Sequence, residues 1–523
     1  MRSATGRRIT QPGPRGRISC VVVTFLVFIF LGFMPASTWA EESTGPQQVV
    51  LTWTQDPVTS QTITWLAADS DENKVQYIEA AGFDGDFAAA TQRETTGKRF
   101  AGSSKYLYTV TLTGLNPDTR YIYRVGRDGA WSKAFSFTTA TDAENFTFLY
   151  LGDVQEGYDQ WGNMLDRIYA EHSQIKFALL GGDLTNNGSN FGEWMEFLDA
   201  ASDVFSRIPM MPAMGNHDGD LFIEFFALPE NGPQDVIEDC FYSFDYGDAH
   251  FVVLDTSNII TDSVKQWLQE DLQNTDKKWK LAVFHHPPYQ NFDDNKTIDD
   301  ALRENWVPIL EQNQVDMVFV GHQHVYMRTY PIFQGEITTD SYGIVYVMGN
   351  SGSKYYQLGQ GFPYIAMEET GSNYQIIELK DDVLILTSRK ADGELIEAYT
   401  LRKHTAPGEQ KPVYYVTAEQ SNLVYTSAST PEGLITMTVN SGISGLKIFT
   451  VGITPEVPHD GEETVVFTHI RNGVQLQLNC TRADFDQVGI AQAGFNVEAG
   501  DVIRAYIVDE LTNDLNQNPV ILQ

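Results

Sequence analysis

Four short stretches in the middle third of the chain hold most of its coordinating side chains: Gly182-Asp183, Gly215-Asn216-His217-Asp218, His285-His286-Pro287 and Gly321-His322-Gln323-His324. Five of the ten histidines in 523 residues, His217, His285, His286, His322 and His324, fall inside them, a clustering that random placement would not give. Imidazole nitrogens, carboxylates and amide oxygens together suit borderline cations such as zinc, manganese or iron. A carboxylate can bridge two cations about 3.5 to 4 Å apart, and Asp183 is the candidate for that position. The chemistry such a pair serves is phosphate-ester cleavage. Two cations flanking a phosphoryl group neutralise its charge and lower the pKa of a bound water toward about 7.

Donors so far apart in sequence need a scaffold. Asp153 follows Phe148-Leu149-Tyr150-Leu151 and Asp183 follows Phe177-Ala178-Leu179-Leu180, so each carboxylate emerges where an apolar strand meets a loop. Either alone would suit a helix N-cap. His322 and His324 come directly after Val318-Phe319-Val320-Gly321. A continuing strand would point both rings to one face, and a loop would let them splay toward two metals. Between residues 145 and 403 the pattern alternates strand and helix: strands at 146–151 and 177–180, helices at 159–172 and 190–205, a hairpin at 241–254, a helix near 261–272, and strands at 280–284 and 316–320. That pattern predicts a layered α/β domain in which strand-end loops converge on one crevice.

The flanks read differently. Residues 47–140 alternate apolar and polar in short runs separated by turn residues, which predicts an all-β sandwich. Tyr121 stands after the Pro117 corner at the start of a strand, similar to the tyrosine corner of fibronectin type III domains. Trp53, Trp65 and Trp131 are expected in the sandwich core rather than on a sugar-binding face. A polar stretch, 404–412, leads into a second β-rich segment, read as an Ig-like sandwich and a spacer or surface-interaction module. The expected domains are therefore 1–40 (leader), 41–140, 141–403 and 404–523.

The leader is read from five arginines among the first 17 residues, an apolar run from Cys20 to Met34, and small residues ending at Ala40. This is the pattern of a cleaved secretory signal peptide, and the run falls short of the roughly 20 residues that span a bilayer. Its removal takes away no acidic residue and moves the formal charge from −34 to −39. Nucleic acid and anionic membranes are then poor partners, and an anionic substrate must be captured locally, as metal ions would do. Cys240 and Cys480, far apart in sequence, do not indicate a disulfide framework.

Taken in order, these motifs resemble the metallophosphoesterase superfamily, and the flanking sandwich resembles that of purple acid phosphatases, over roughly residues 47 to 401. The resemblance implies an N-terminal fibronectin type III-like β-sandwich and a central four-layer αββα catalytic domain, and with the C-terminal Ig-like β-rich domain read from alternation the expected fold is multidomain α+β. The resemblance also implies two divalent metal ions (Zn, Mn or Fe), one held by Asp153, Asp183 and His324, the other by Asp183, Asn216, His285 and His322. His217 matches the family's histidine beside the asparagine ligand, placed to bind phosphate oxygen or protonate the leaving alkoxide, and His286 is a second candidate for that work or an alternative ligand to His285. Tyr289 and Arg328 are candidates for the pocket rim. The chain departs from the family twice. Asp153-Val154-Gln155 replaces Asp-Xaa-Gly, and Asn186 stands where the family has the tyrosine whose phenolate binds ferric iron and gives the purple colour. Gln155 or Asn186 is a candidate amide ligand in compensation, and a colourless or weakly coloured protein is expected.

The expectation is a secreted phosphoesterase acting on small phosphomonoesters. Competing readings are a phosphodiesterase or nucleotidase with the same site, and a cell-surface binding protein whose C-terminal domain meets the partner while the metal domain turns over weakly. Asn187-Gly188-Ser189 matches a glycan acceptor so close to Asp183 that a glycan would obstruct the crevice, which points to a bacterial secreted, periplasmic or envelope protein.

Overall fold

In this computed structural model the described residues are 45–509, apart from 69–71, 101–102, 142–144, 237–239, 257–260, 294–295, 339–342, 360, 404–412, 431–433 and 456–460, together with 511 and 521–523. The leader at 1–40 and the stretch 404–412 lie outside them. The fold is mostly sheet with few helices.

The central region is built on two sheets packed face to face. The first has the order Met210–Pro212, Ile175–Leu180, Phe146–Leu151, Asn373–Lys380, Val383–Lys390, Leu395–Arg402, its first three strands parallel. The second has the order Tyr242–Tyr246, Ala249–Val253, Trp279–Val283, Met317–Val320, Val345–Met348, Val325–Thr329, Ile365–Thr370, with four consecutive parallel strands from Ala249–Val253 to Val345–Met348. Period-two alternation decides what each strand face buries. In the second sheet Phe251, Val253, Leu281, Val283, Met317, Phe319, Val345 and Val347 share a core with the first sheet. Their neighbours Val252, Ala282, Val318, Val320, Tyr346 and Met348 share another with the helix residues Val264, Leu268, Leu272, Leu302 and Leu310 and with Trp306. Across the inner layer Phe148 meets Phe251 and Phe319 edge-on at 5.4 and 5.9 Å.

Helices Tyr158–Glu171 and Phe191–Phe205 pack into the same core as the first sheet. Their apolar residues follow the helical period: Trp161, Met164, Leu165 and Ile168, then Trp194, Phe197, Leu198, Ala201, Val204 and Phe205. The order of layers is thus helix, sheet, sheet, helix.

The N-terminal residues form two sheets, 47–113 and 73–138 in overlapping chain order, around a shared core that includes Val49, Ile63, Trp65, Tyr77, Tyr108, Tyr123 and Phe137. The Tyr121 hydroxyl accepts a hydrogen bond from the Asn116 N–H at 2.9 Å, closing the corner at Pro117. Trp65 is buried against Tyr108. Trp53 is buried too, but in the core of the central sheets, 5.4 Å from Phe177 and 5.6 Å from Tyr246. Trp131 is half-buried with the Arg124 guanidinium over its ring. The C-terminal residues also form two sheets, of three and five strands, around one core with Tyr414, Met437, Phe449, Phe467, Phe495 and Ile503. No helix among the described residues is long and apolar enough to cross a membrane.

Candidate metal centre

Every candidate ligand leaves the carboxyl end of a strand in the parallel part of one sheet or the other. Asp153, Asp183 and Asn216 follow Phe146–Leu151, Ile175–Leu180 and Met210–Pro212. His285 and His322 follow Trp279–Val283 and Met317–Val320. The two sheets open on one crevice there, as open parallel sheets do at ligand sites. A bridge between Asp153 and Asn350, and the Tyr150 hydroxyl donating to the Val320 carbonyl at 2.6 Å, tie the sheets together at this edge.

Two ion-sized groups of donors share one residue. Asp183, His285 and His322 bring ligand atoms within 4.8 Å of one another, and so do Asp153, Asp183 and His324. Asp183 is common to both, the arrangement a bridging carboxylate needs. Asn216 Oδ1 lies 3.1 Å from His285 Nε2 and 3.1 Å from His322 Nδ1, within the first group. The donor set fits two cations. Asp153 and Asp183 are almost fully buried side by side, and Asp153 Oδ2 is a buried oxygen with no hydrogen-bond partner among the described residues. An uncompensated carboxylate oxygen in such a place calls for a positive ion. Burial and the neighbouring Asp183 charge raise the Asp153 carboxyl to about 7. Burial alone would raise Asp183 also, but the adjoining His285 holds it well below the usual carboxylate range.

The rings are aimed by the main chain. Carbonyls only accept, so an imidazole nitrogen that meets one must donate, which fixes the tautomer. Nδ1 of His285 donates to the Gly181 carbonyl at 2.9 Å, Nδ1 of His324 to that of Lys354 at 3.1 Å, and Nδ1 of His217 to that of Asn186 at 2.8 Å. Nε2 of each ring is left for the crevice, the usual division of labour in ligating histidines. His286 is arranged differently: its Nδ1 lies 2.8 Å from the Thr256 hydroxyl and it belongs to neither donor group. Burial and the nearby imidazoles push it down to about 2, so it is a neutral ring. Its ring lies 4.2 Å from that of His322, tilted by 42°.

The backbone is strained where these side chains start. Asp183, His322, His324 and Gln155 have φ of 51°, 75°, 47° and 34°. Non-glycine residues in this left-handed region cost about 1–2 kcal/mol each, and such strain concentrates at functional sites. Close approach demands glycine nearby. A Cβ on Gly215 would lie 2.1 Å from the Asp183 nitrogen, and one on Gly188 1.8 Å from the Asp218 carbonyl oxygen.

Gln155 and Asn186 are placed beside the donors, Gln155 with both ends of its amide engaged. The Gln155 amide nitrogen donates to Asp183 Oδ2 at 2.8 Å and its oxygen accepts from Lys354 Nζ at 2.8 Å, so that oxygen is already taken. Asn186 uses its backbone, accepting from His217 and donating its N–H to Glu193 at 2.6 Å. Tyr289 and Arg328 are not at a rim. Tyr289 packs 4.8 Å from Tyr346 in the core, and Arg328 is buried in a two-point pair with Glu397 that links the two sheets. Apolar surroundings and a matched carboxylate explain both.

Asp218, inside the second of the four stretches, is a residue whose role the sequence did not disclose. Fully buried, its carboxylate accepts from the N–H groups of Leu184, Thr185 and Gly215 at 2.7, 3.1 and 2.8 Å, fastening the Asp183 loop to the Asn216 turn. The His217 N–H completes the junction by donating to Asp183 Oδ1 at 2.9 Å. Glu193, at the start of the helix that follows, and Lys354, far away in sequence, support the same loops.

Comparison with known proteins agrees with this geometry. Residues 46–139 match the family described as purple acid phosphatase, N-terminal domain, and residues 146–326 match calcineurin-like phosphoesterase. An uncharacterized protein of Mycobacterium tuberculosis is 26% identical over 301 residues, 49% of this chain and 57% of that relative, so the chain spans little more than half of its length. Purple acid phosphatase 18 of Arabidopsis thaliana is 28% identical over 340 residues, 60% of this chain and 74% of the plant protein. Among solved structures, a purple acid phosphatase from yellow lupin (Lupinus luteus) seeds shares the fold with a TM-score of 0.58 at 18% identity, covering 69% of this chain and 75% of its own. Two matched domains in tandem, with a shared aspartate between two donor groups at the strand ends, make this chain a purple acid phosphatase-like metallophosphoesterase.

Proposed function

We propose that the chain is a secreted or envelope hydrolase that cleaves small phosphomonoesters with two divalent metal ions. The observation that carries this reading is the pair of donor groups sharing Asp183 at the mouth of the two sheets. When bound, the ions would neutralise the phosphoryl group and supply an activated water. Asp153, Asp183 and His324 would hold one; Asp183, Asn216, His285 and His322 the other. The chain's own contribution to the leaving step is His217. It is half-buried at the crevice edge with Nδ1 fixed on a carbonyl, so Nε2 is the atom that can bind a phosphate oxygen or deliver a proton to the departing alkoxide. Secretion is supported by the leader-like residues 1–40. The C-terminal pair of sheets, read as Ig-like, contributes no donor to the centre among the described residues and suits a spacer or a surface-binding role.

A diester or nucleotidase reading is favoured by one observation: a cleft of about 1230 Å³, lined by Gln155 and Asn186, opens beside the centre with room for a second esterified group. Its walls carry Glu156, Asp159, Asp166, Glu193 and Glu196, which repel polyanions and keep the monoester reading ahead. The deciding experiment strips the metals from the chain lacking residues 1–40, restores zinc, manganese or iron, and compares p-nitrophenyl phosphate with bis-p-nitrophenyl phosphate. Metal-restored turnover of the monoester supports the proposal, diester preference replaces it with the second reading, and no turnover with any metal refutes both.

A further inference from the structure

The first donor group contains two carboxylates, Asp153 and Asp183, and one imidazole, His324. A fixed cation stands close behind it. Lys354 lies in the loop after strand Val345–Met348, half-buried, and its ammonium donates to Gln155 Oε1 at 2.8 Å. The other end of the same amide donates to Asp183 Oδ2 at 2.8 Å. An ammonium only donates and a carboxylate only accepts, so the orientation of the Gln155 amide is determined. Gln155 is 1% exposed, which shields this line of contacts from solvent. The main chain of Lys354 reaches the same group from the other side, where its carbonyl accepts from His324 Nδ1 at 3.1 Å and from Asn350 Nδ2 at 2.9 Å.

Two physical effects act in the same direction. The ammonium polarises the amide, making its N–H a stronger donor to Asp183 and drawing electron density from the carboxylate that would bridge the ions. It also repels any cation in the group, in proportion to that cation's charge. At an effective dielectric near 20 and a separation on the order of 6–8 Å, the extra charge of a trivalent ion costs roughly tenfold to a hundredfold in affinity relative to a divalent one. Among the described residues Asp153 and Asp183 are the anionic donors of this group, and Asp183 is shared with the second, so little negative charge is left to offset a further unit of cation charge.

We propose that Lys354, acting through Gln155, is a metal-selecting positioning residue that sets the Asp153–Asp183–His324 position for a divalent ion and against a trivalent one. The inference rests on the two-ion reading of the centre. Its test uses the metal-free full chain, titrated with Zn(II) and with Ga(III) in a competing chelator, and reads metal bound per chain by mass spectrometry. Lys354→Met should raise the Ga(III)-to-Zn(II) affinity ratio about tenfold or more, while Lys354→Arg leaves it unchanged. Lys354→Gln keeps an N–H donor without the charge, and it should raise the ratio as Met does, which covers the case that the Met variant fails to fold. An unchanged ratio in Lys354→Gln, in a chain that binds both ions, overturns this inference alone. A wild-type chain that binds neither ion overturns the two-ion reading itself.

Discussion

The Asn186 carbonyl accepts a hydrogen bond from His217 Nδ1 at 2.8 Å, so the residue at the position of the family's tyrosine serves a histidine through its backbone. That loop is itself held by Glu193. Its carboxylate accepts from the Asn186 N–H at 2.6 Å, the Asn187 N–H at 3.1 Å and the Tyr158 hydroxyl at 2.9 Å. If His217 protonates the leaving group, His217→Ala should lower kcat about 10²- to 10⁴-fold for alkyl phosphates and far less for p-nitrophenyl phosphate, whose alcohol leaves unaided. Glu193→Ala should show the same dependence on leaving group with a smaller loss. Equal losses on both substrates in steady-state assays would refute the proton-donor role.

Asp183 is the shared donor, and both ion positions depend on its charge. Asp183→Asn should therefore remove most bound metal and turnover together. Metal analysis by mass spectrometry alongside the assay checks this, and full activity in the variant would refute the assignment.

His285 and His286 are neighbours with opposite environments. His285 Nε2 lies 3.2 Å from Asp183 Oδ2, whereas His286 contacts the Thr256 hydroxyl. His285→Ala should lose one metal equivalent. His286→Ala should keep both and lower turnover only through loosened packing against His322. Loss of a metal from the His286 variant alone would reverse the assignment.

His250, away from the centre, sits buried between Asp245 at 2.7 Å and Asp271 at 2.8 Å. Burial alone would lower its pKa, but hydrogen bonds to the two carboxylates push it up to about 9. A histidine raised above its unfolded value of about 6.5 contributes stability fully below that pH, and the contribution is lost as pH rises through about 9. By linkage it is worth up to about 3 kcal/mol. His250→Gln should thus depress the melting temperature at pH 6 and much less at pH 10. The same depression at both values would count against the charged pair.

The donors that the structure gathers into two groups were legible because they come shortly after apolar strands, a pattern that survives without tertiary information. Helix and strand positions were legible from period, with ends shifted by a residue or two: 159–172 against Tyr158–Glu171, 280–284 against Trp279–Val283. Glu193 and Lys354 were not legible. They act through main-chain groups or an amide whose partners are 6 to 199 residues away, and no spacing rule links them. Trp53 belongs to a different core from the one expected, because alternation names the buried face of a strand but not the neighbour that covers it. Trp53→Ala should destabilise the catalytic region by about 3–5 kcal/mol in denaturant unfolding, as large aromatic truncations in cores do. A loss confined to the sandwich would contradict its placement.

Three histidines at the crevice take their orientation from peptide carbonyls at residues 181, 186 and 354. A missense change cannot delete a peptide carbonyl. Ring aim at 186 and 354 is thereby insulated from the genetic code so long as the loop keeps its path, and the side chains there can change without turning the rings. This accounts for how an asparagine can occupy position 186 while His217 keeps its bearing. It also gives a lineage room to exchange one metal for another by altering side chains alone, with the scaffold that aims the ligands untouched.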